Sequence, residues 1–222
     1  MAKEIIQDFT VGSIPKKLLH FAFPFMLSTL LQTAYGMVDM MVVGHYVGSS
    51  GLSAVSISYQ TLWMTTALCM GFSNAGQIVI AQMLGAGRRK DLQKAIGTLA
   101  LTLFGAAILV TVLGMSLARP LLRLLQTPAE SFEEAVSYLL IAFAGTIFTF
   151  GYNMVSAIFR GMGDSKHPLI FVIVAAIVNL ILDLVAVAVF HMGVAGAAVA
   201  TVISQAASCA WVMAFLLGKR AL

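Results

Sequence analysis

The chain has 222 residues, of which 60% are hydrophobic and only 10% charged. About 25% charged residues is usual in a soluble domain, so this chain cannot cover a water-facing surface and reads as an integral membrane protein. Its net charge of +4 and pI near 9.2 follow from loop lysines and arginines and imply no nucleic-acid partner.

A membrane span needs about 20 mainly apolar residues. Six runs reach that length, at approximately 17–43, 53–84, 95–118, 134–159, 167–190 and 194–217. The first is too long for a cleavable signal peptide and lacks a small-x-small cleavage site before polar sequence, so it is expected to remain as a helix. The second contains a polar stretch, Gly71-Phe72-Ser73-Asn74-Ala75-Gly76-Gln77. It reads as one bent or extended span, and splitting it would give seven. None of the runs alternates with period two, so they are helices and not barrel strands. The expected fold class is an all-α integral membrane protein, a bundle of six transmembrane helices formed as one unit over residues 1–222.

The connections orient the bundle. Lys3, Lys16 and Lys17 precede the first run, and Arg88, Arg89, Lys90 and Lys94 lie around the second connection. Arg160 and Lys166 flank the fourth connection, and Lys219 and Arg220 end the chain. These make eleven of the thirteen basic residues, while the opposite face has Arg119 and Arg123 beside Glu130, Glu133 and Glu134. The asymmetry places both termini in the cytoplasm of a multi-pass plasma-membrane (cell inner membrane) protein.

Polar residues inside the runs form stripes. In the first, Ser28, Gln32, Tyr35 and Asp39 fall at i, i+4, i+7 and i+11, within a sector of about 60° on a helix. Pro24 stands one turn earlier; it removes a helix hydrogen bond and offers a bend point. The fourth run carries Tyr138, Thr146, Thr149, Asn153 and Ser156, the fifth Asn179 and Asp183, and the sixth Thr201, Ser204, Gln205 and Ser208. Four spans with one polar face each imply a shared interior cavity.

For the serines and threonines, hydrogen bonding between helices is sufficient explanation, at about 0.6 kcal/mol per pair. The two acids differ. An acid at the bilayer centre costs roughly 2.5–3.5 kcal/mol on insertion scales and marks an ion path. Asn179 and Asp183, one turn apart, can hold a small hard cation such as Na⁺ through oxygen ligands, or share a proton. Asp39 and Asp183 would repel each other if both were ionised, so the resting state holds a proton or a bound cation.

Cys69 and Cys209 lie in apolar runs without metal-ligand spacing. His20, His45, His167 and His191 sit near span ends or in connections. Thirteen methionines and fourteen phenylalanines fill gaps or face lipid, and a methionine-rich wall can also accept varied apolar ligands. HExxH, GxSxG and Walker A motifs do not occur, so no enzyme and no cofactor beyond a coupling ion is expected. Gly161-Met162-Gly163-Asp164 follows no strand and reads as a turn between spans.

Several segments carry a resemblance. They are Pro24-Phe25-Met26-Leu27, Val38-Asp39-Met40-Met41-Val42-Val43-Gly44, Ala81-Gln82-Met83-Leu84-Gly85-Ala86-Gly87, the run Phe159-Arg160-Gly161-Met162-Gly163-Asp164-Ser165-Lys166-His167-Pro168, and Asn179-Leu180-Ile181-Leu182-Asp183. In them the chain resembles the N-terminal six-helix lobe of multidrug and toxic compound extrusion (MATE) transporters, in the DinF-like branch. The resemblance implies a two-lobed antiporter that exports amphipathic, often cationic, drugs or toxic compounds against H⁺ or Na⁺. Asp39, Asn179, Asp183 and Thr201 match its coupling-ion site. Gln32 and Tyr35 belong to the cavity stripe, and Tyr138 and Asn153 match polar cavity positions. By the span count, Asn153 falls close to the cytoplasmic end. Family members usually have twelve helices. The partners expected are therefore the lipid bilayer, a small amphipathic substrate, and a second six-helix lobe, supplied by continuation of the chain or by a second copy. A lipid-linked oligosaccharide flippase of the same superfamily, and a non-transporting or partner-binding lobe, are the alternatives.

Overall fold

A computed structural model describes residues 13–219 as helices joined by short turns, with no strand among the described residues. Lys3, Arg220 and the side chain of Lys219, counted above among the cytoplasmic cations, lie outside what is described. The helices are α1 (Ile14–Tyr46), α2 (Ser49–Gly85), α3 (Arg89–Leu124), α4 (Ala129–Ala144), α5 (Thr146–Gly161), α6 (Lys166–Asp183) and α7 (Gly193–Lys219). A π-helical segment, Leu184–Val189, continues α6. Five spans are long and apolar enough to cross a membrane, and α4 with α5 makes a sixth when the bent pair counts as one.

The first three helices have 33, 37 and 36 residues. At about 1.5 Å per residue each outruns a hydrocarbon core of about 30 Å. They continue into the headgroup region because their ends are built to be wet. Arg88, just before α3, binds Asp91 in its first turn at 2.8 Å. The turns are set locally. Gly87 and Gly163 take positive φ (68° and 87°), which glycine adopts without the Cβ penalty. Each closes a Schellman motif: the amide of Arg88 bonds Met83 O, and that of Asp164 bonds Phe159 O. Asp164 then caps α6, its Oδ1 accepting from the amides of Lys166 (2.9 Å) and His167 (3.2 Å) while Oδ2 meets the His167 ring. The predicted turn at 161–164 is thus also a helix start.

The second expected run holds as a single helix, and two later ones do not. The polar stretch 71–77 does not interrupt α2, so the seven-span division is not seen. Ser73 meets Cys69 one turn earlier on α2, and Gln77 accepts from Arg160 of α5. The run 134–159 is not one helix: α4 and α5 meet at Gly145 with a bend of 49°. Gly145 still donates to Ile141 O, but a Cβ there would lie 2.4 Å from Val202 Cγ2 on α7. Only glycine admits α7 so closely. Lastly, the run 167–190 loses α-helical register after Asp183, in the π segment.

α2 packs against α1, α3, α4 and α5, α7 packs against α4, α5 and α6, and α1 closes on α6. Apolar side chains collect in two cores. One holds Val43, Val55, Leu122, Leu139 and Phe143, around the C-terminal end of α1, the N-terminal end of α2, the end of α3 and the length of α4. The other holds Ile80, Leu103, Phe150, Ile158, Phe159 and Phe171 around α5. The polar-striped faces meet between the packed walls.

Candidate ion site and cavity

A cavity of about 550 Å³ opens between α1, α2, the bent α4–α5 pair and α7. α1 contributes Gln32, Tyr35 and Asp39 from the stripe. α4 and α5 contribute Tyr138, Thr146, Thr149 and Asn153, and α7 contributes Thr201, Gln205 and Ser208. The structure therefore brings together the expected cavity residues, including Asn153, which the span count places near the end of its helix. Asn153 Nδ2 donates to Thr149 O at 2.8 Å. The bend at Gly145 helps, because it turns the first residues of α5 toward the wall formed by α7.

Behind this wall lie the remaining candidates. Asp39 is 3% exposed, Asn179 2% and Asp183 0%. Asp39 borders the cavity, whereas Asn179 and Asp183 do not. Tyr138 Oη donates a long bond to Asp39 Oδ2 at 3.4 Å. Asn179 Nδ2 donates to Thr201 Oγ1 at 3.3 Å. Among the described groups, none partners Asp39 Oδ1 or either oxygen of Asp183. An unpartnered buried carboxylate is costly, and these three oxygens could hold a proton or an oxygen-seeking cation. Asn179 Oδ1 and Thr201 Oγ1 add further hard donors. No cluster of three or more His, Cys, Asp or Glu suited to a transition metal occurs among the described residues.

The sequence stripes leave out one wall. Tyr59, Trp63 and Met70 of α2 line the cavity; Trp63 is 66% exposed and stands at its open side. Their spacing, i, i+4 and i+11, is the same one-face pattern that marks α1. It is hidden because aromatic and methionine side chains carry no contrast in an apolar run. Thr149 and Gln205, noted as stripe members but not as site residues, share a short hydrogen bond across the α5–α7 wall.

The MatE family model matches residues 24–185. The chain belongs to the MatE family. It is 36% identical over 198 residues to the probable multidrug resistance protein YpnP of Bacillus subtilis, covering 89% of this chain and 44% of that protein. It is 30% identical to the probable multidrug resistance protein NorM of Thermotoga maritima, covering 98% of this chain and 47% of the relative. Among solved structures, the MATE multidrug transporter DinF-BH superposes with a TM-score of 0.90 at 25% identity, over 96% of this chain and 48% of that one. A MATE crystal structure in the bent conformation gives 0.89 at 23% identity, over 94% and 46%, a likeness of fold. This MatE chain thus spans about half the length of the curated relatives it matches and has the fold of one lobe of a two-lobed multi-pass transporter.

Proposed function

We propose that this MatE chain is one lobe of a cation-coupled antiporter that exports amphipathic, often cationic, compounds in exchange for H⁺ or Na⁺. One observation carries the reading: three carboxylate oxygens, on Asp39 at the cavity edge and on Asp183 outside its lining, are buried without a partner among the described groups. The cavity suits the other half of the exchange. Its aromatic and methionine lining offers adaptable apolar contact, and Asp39 is the charged side chain among its described lining residues. A cation entering the acid pair removes their mutual repulsion, and α1, which carries Pro24 inside the helix, is the helix best built to respond. Asp39 sits on α1 and borders the cavity, so its discharge and the shape of the guest site are joined at one residue.

The function needs a second six-helix lobe, either by continuation of the chain or from a second copy about an axis along the membrane normal. The location is the plasma membrane, with both termini in the cytoplasm. The activity is transport, with no covalent chemistry. The decisive test is movement of a fluorescent organic cation into proteoliposomes driven by a Na⁺ or H⁺ gradient. Asp39→Asn and Asp183→Asn are each expected to abolish the gradient-driven component. Native-like coupled transport by both variants would refute the reading.

A further inference from the structure

α7 makes two polar contacts one helical turn apart, and they face different neighbours. Thr201 Oγ1 accepts a hydrogen bond from Asn179 Nδ2 of α6 at 3.3 Å. Four residues on, Gln205 Oε1 accepts the hydroxyl hydrogen of Thr149 on α5. The carbonyl of the same Thr149 holds Asn153 Nδ2 at 2.8 Å. Thr149, Asn153, Thr201 and Gln205 all border the cavity, while Asn179 lies behind it with Asp183. One helix therefore grips the acid-bearing element at Thr201 and the guest-facing wall at Gln205. A helix is stiff over a single turn of about 5.4 Å, so a displacement imposed at Thr201 arrives at Gln205 nearly undiminished. Gly145 and Gly151, against which Val202 and Cys209 of α7 lie closely, leave α5 little room to stay behind.

We infer that Gln205 is a positioning residue that transmits occupancy of the Asp39–Asp183 site to the cavity wall through its bond to Thr149. The inference rests on the antiport reading and goes beyond it by naming the connection between the two ligands. Gln205 does so without touching the ion. Coupling of this kind is a reciprocal change in affinity between two sites, and a contiguous bonded chain is only its physical warrant until the change is measured.

The measurement is ethidium affinity, by fluorescence anisotropy, of the full chain in lipid nanodiscs. One arm exchanges choline for Na⁺ at fixed pH; the other varies pH without Na⁺. For the native chain one arm is expected to change the ethidium Kd by at least about fivefold, the low end of ordinary coupling. In Gln205→Leu the ratio should fall to about one whatever the shift in the Kd itself, since Gln205 borders the cavity; the ratio separates coupling from packing. Thr149→Val, which keeps the shape and removes the hydroxyl, should do the same, and Thr149→Ser should keep the native ratio. Thr149→Val also carries the test if Gln205→Leu fails to fold. A native ratio in Gln205→Leu or Thr149→Val overturns the inference and leaves the antiport reading intact. Loss of ethidium binding in Thr149→Val overturns it too, because the pair would then be a direct guest contact. Absence of any ratio in the native chain refutes the antiport reading instead.

Discussion

At the level of single side chains, the space at Gly145 is a tight constraint. A methyl group there would lie 2.4, 2.8 and 3.1 Å from Cγ2, Cγ1 and Cβ of Val202. Valine is stiff at χ1 and cannot swing clear. Gly145→Ala is therefore expected to destabilise the lobe by about 1–3 kcal/mol, as overpacking usually does. Val202→Ala in the same chain should recover much of that loss, an interaction of about 0.5–3 kcal/mol between touching residues. Thermal unfolding followed by tryptophan fluorescence in detergent checks both, and additive losses would show that the contact is not the cause. Other residues are plainer in the sequence. Asp39 and Asp183 stand out because charge in an apolar run has few explanations, and the spacing of Ser28, Gln32, Tyr35 and Asp39 reveals their shared face. Tyr59 and Trp63 do not stand out, because an aromatic ring serves lipid, core or cavity equally well.

Between helices, the informative contact is at the end of α5. Arg160 Nε donates to Gln77 Oε1 of α2 at 3.0 Å, and its guanidinium sits 5.4 Å from the ring centroid of Phe25 on α1. One side chain thus ties three helices together, beside Pro24. A charge-assisted hydrogen bond and a cation–π contact together contribute about 1–3 kcal/mol. Arg160→Ala should lower the unfolding midpoint in a detergent melt, and Arg160→Lys should lower it less, since it keeps the charge but loses the planar fork. Equal loss in both would mean that the charge is not what holds α1. The paired Arg119 and Glu133, at 2.9 and 2.8 Å, are well exposed and are expected to contribute little. The π segment after Asp183 is not legible in the sequence. Leu184-Val185-Ala186-Val187-Ala188-Val189 has no polar residue to mark which face is inward, and a slip in register leaves no trace in a uniform run. The same run lacks glycine and proline, the usual signs of a departure from α-helix.

For the molecule as a whole, one pattern separates lipid from core. On α3, Leu99, Leu103, Ala107, Gly114, Ala118 and Leu122 are buried along one face, while Leu101, Phe104, Ile108, Val112 and Met115 are exposed on the other. In water such a surface would be untenable; in a bilayer it is the ordinary outer wall. The apolar length of the spans and the distribution of basic residues are therefore legible early, because oil imposes a length and a composition on every span. The orientation is open to direct measurement. In a Cys69→Ala, Cys209→Ala background, a membrane-impermeant maleimide applied to intact cells is expected to label Glu130→Cys and not Arg89→Cys. Arg89→Cys should react once the membrane is permeabilised. The opposite pattern would invert the bundle. The bend, the cavity's second wall and the assignment of polar residues to one chamber need three dimensions, because each depends on which helix lies beside which.

The hinge-like seam at Gly145 divides the fourth crossing between two storeys. Tyr138 and Leu139 stand in the upper one with the acids, and Phe150 and Ile158 in the lower one. Phe150 below the seam and Tyr138 above it both border the same cavity, so each storey presents an aromatic ring to a shared chamber. Because Gly145 lies against Val202, any change in the angle between the storeys must be matched by a movement of α7.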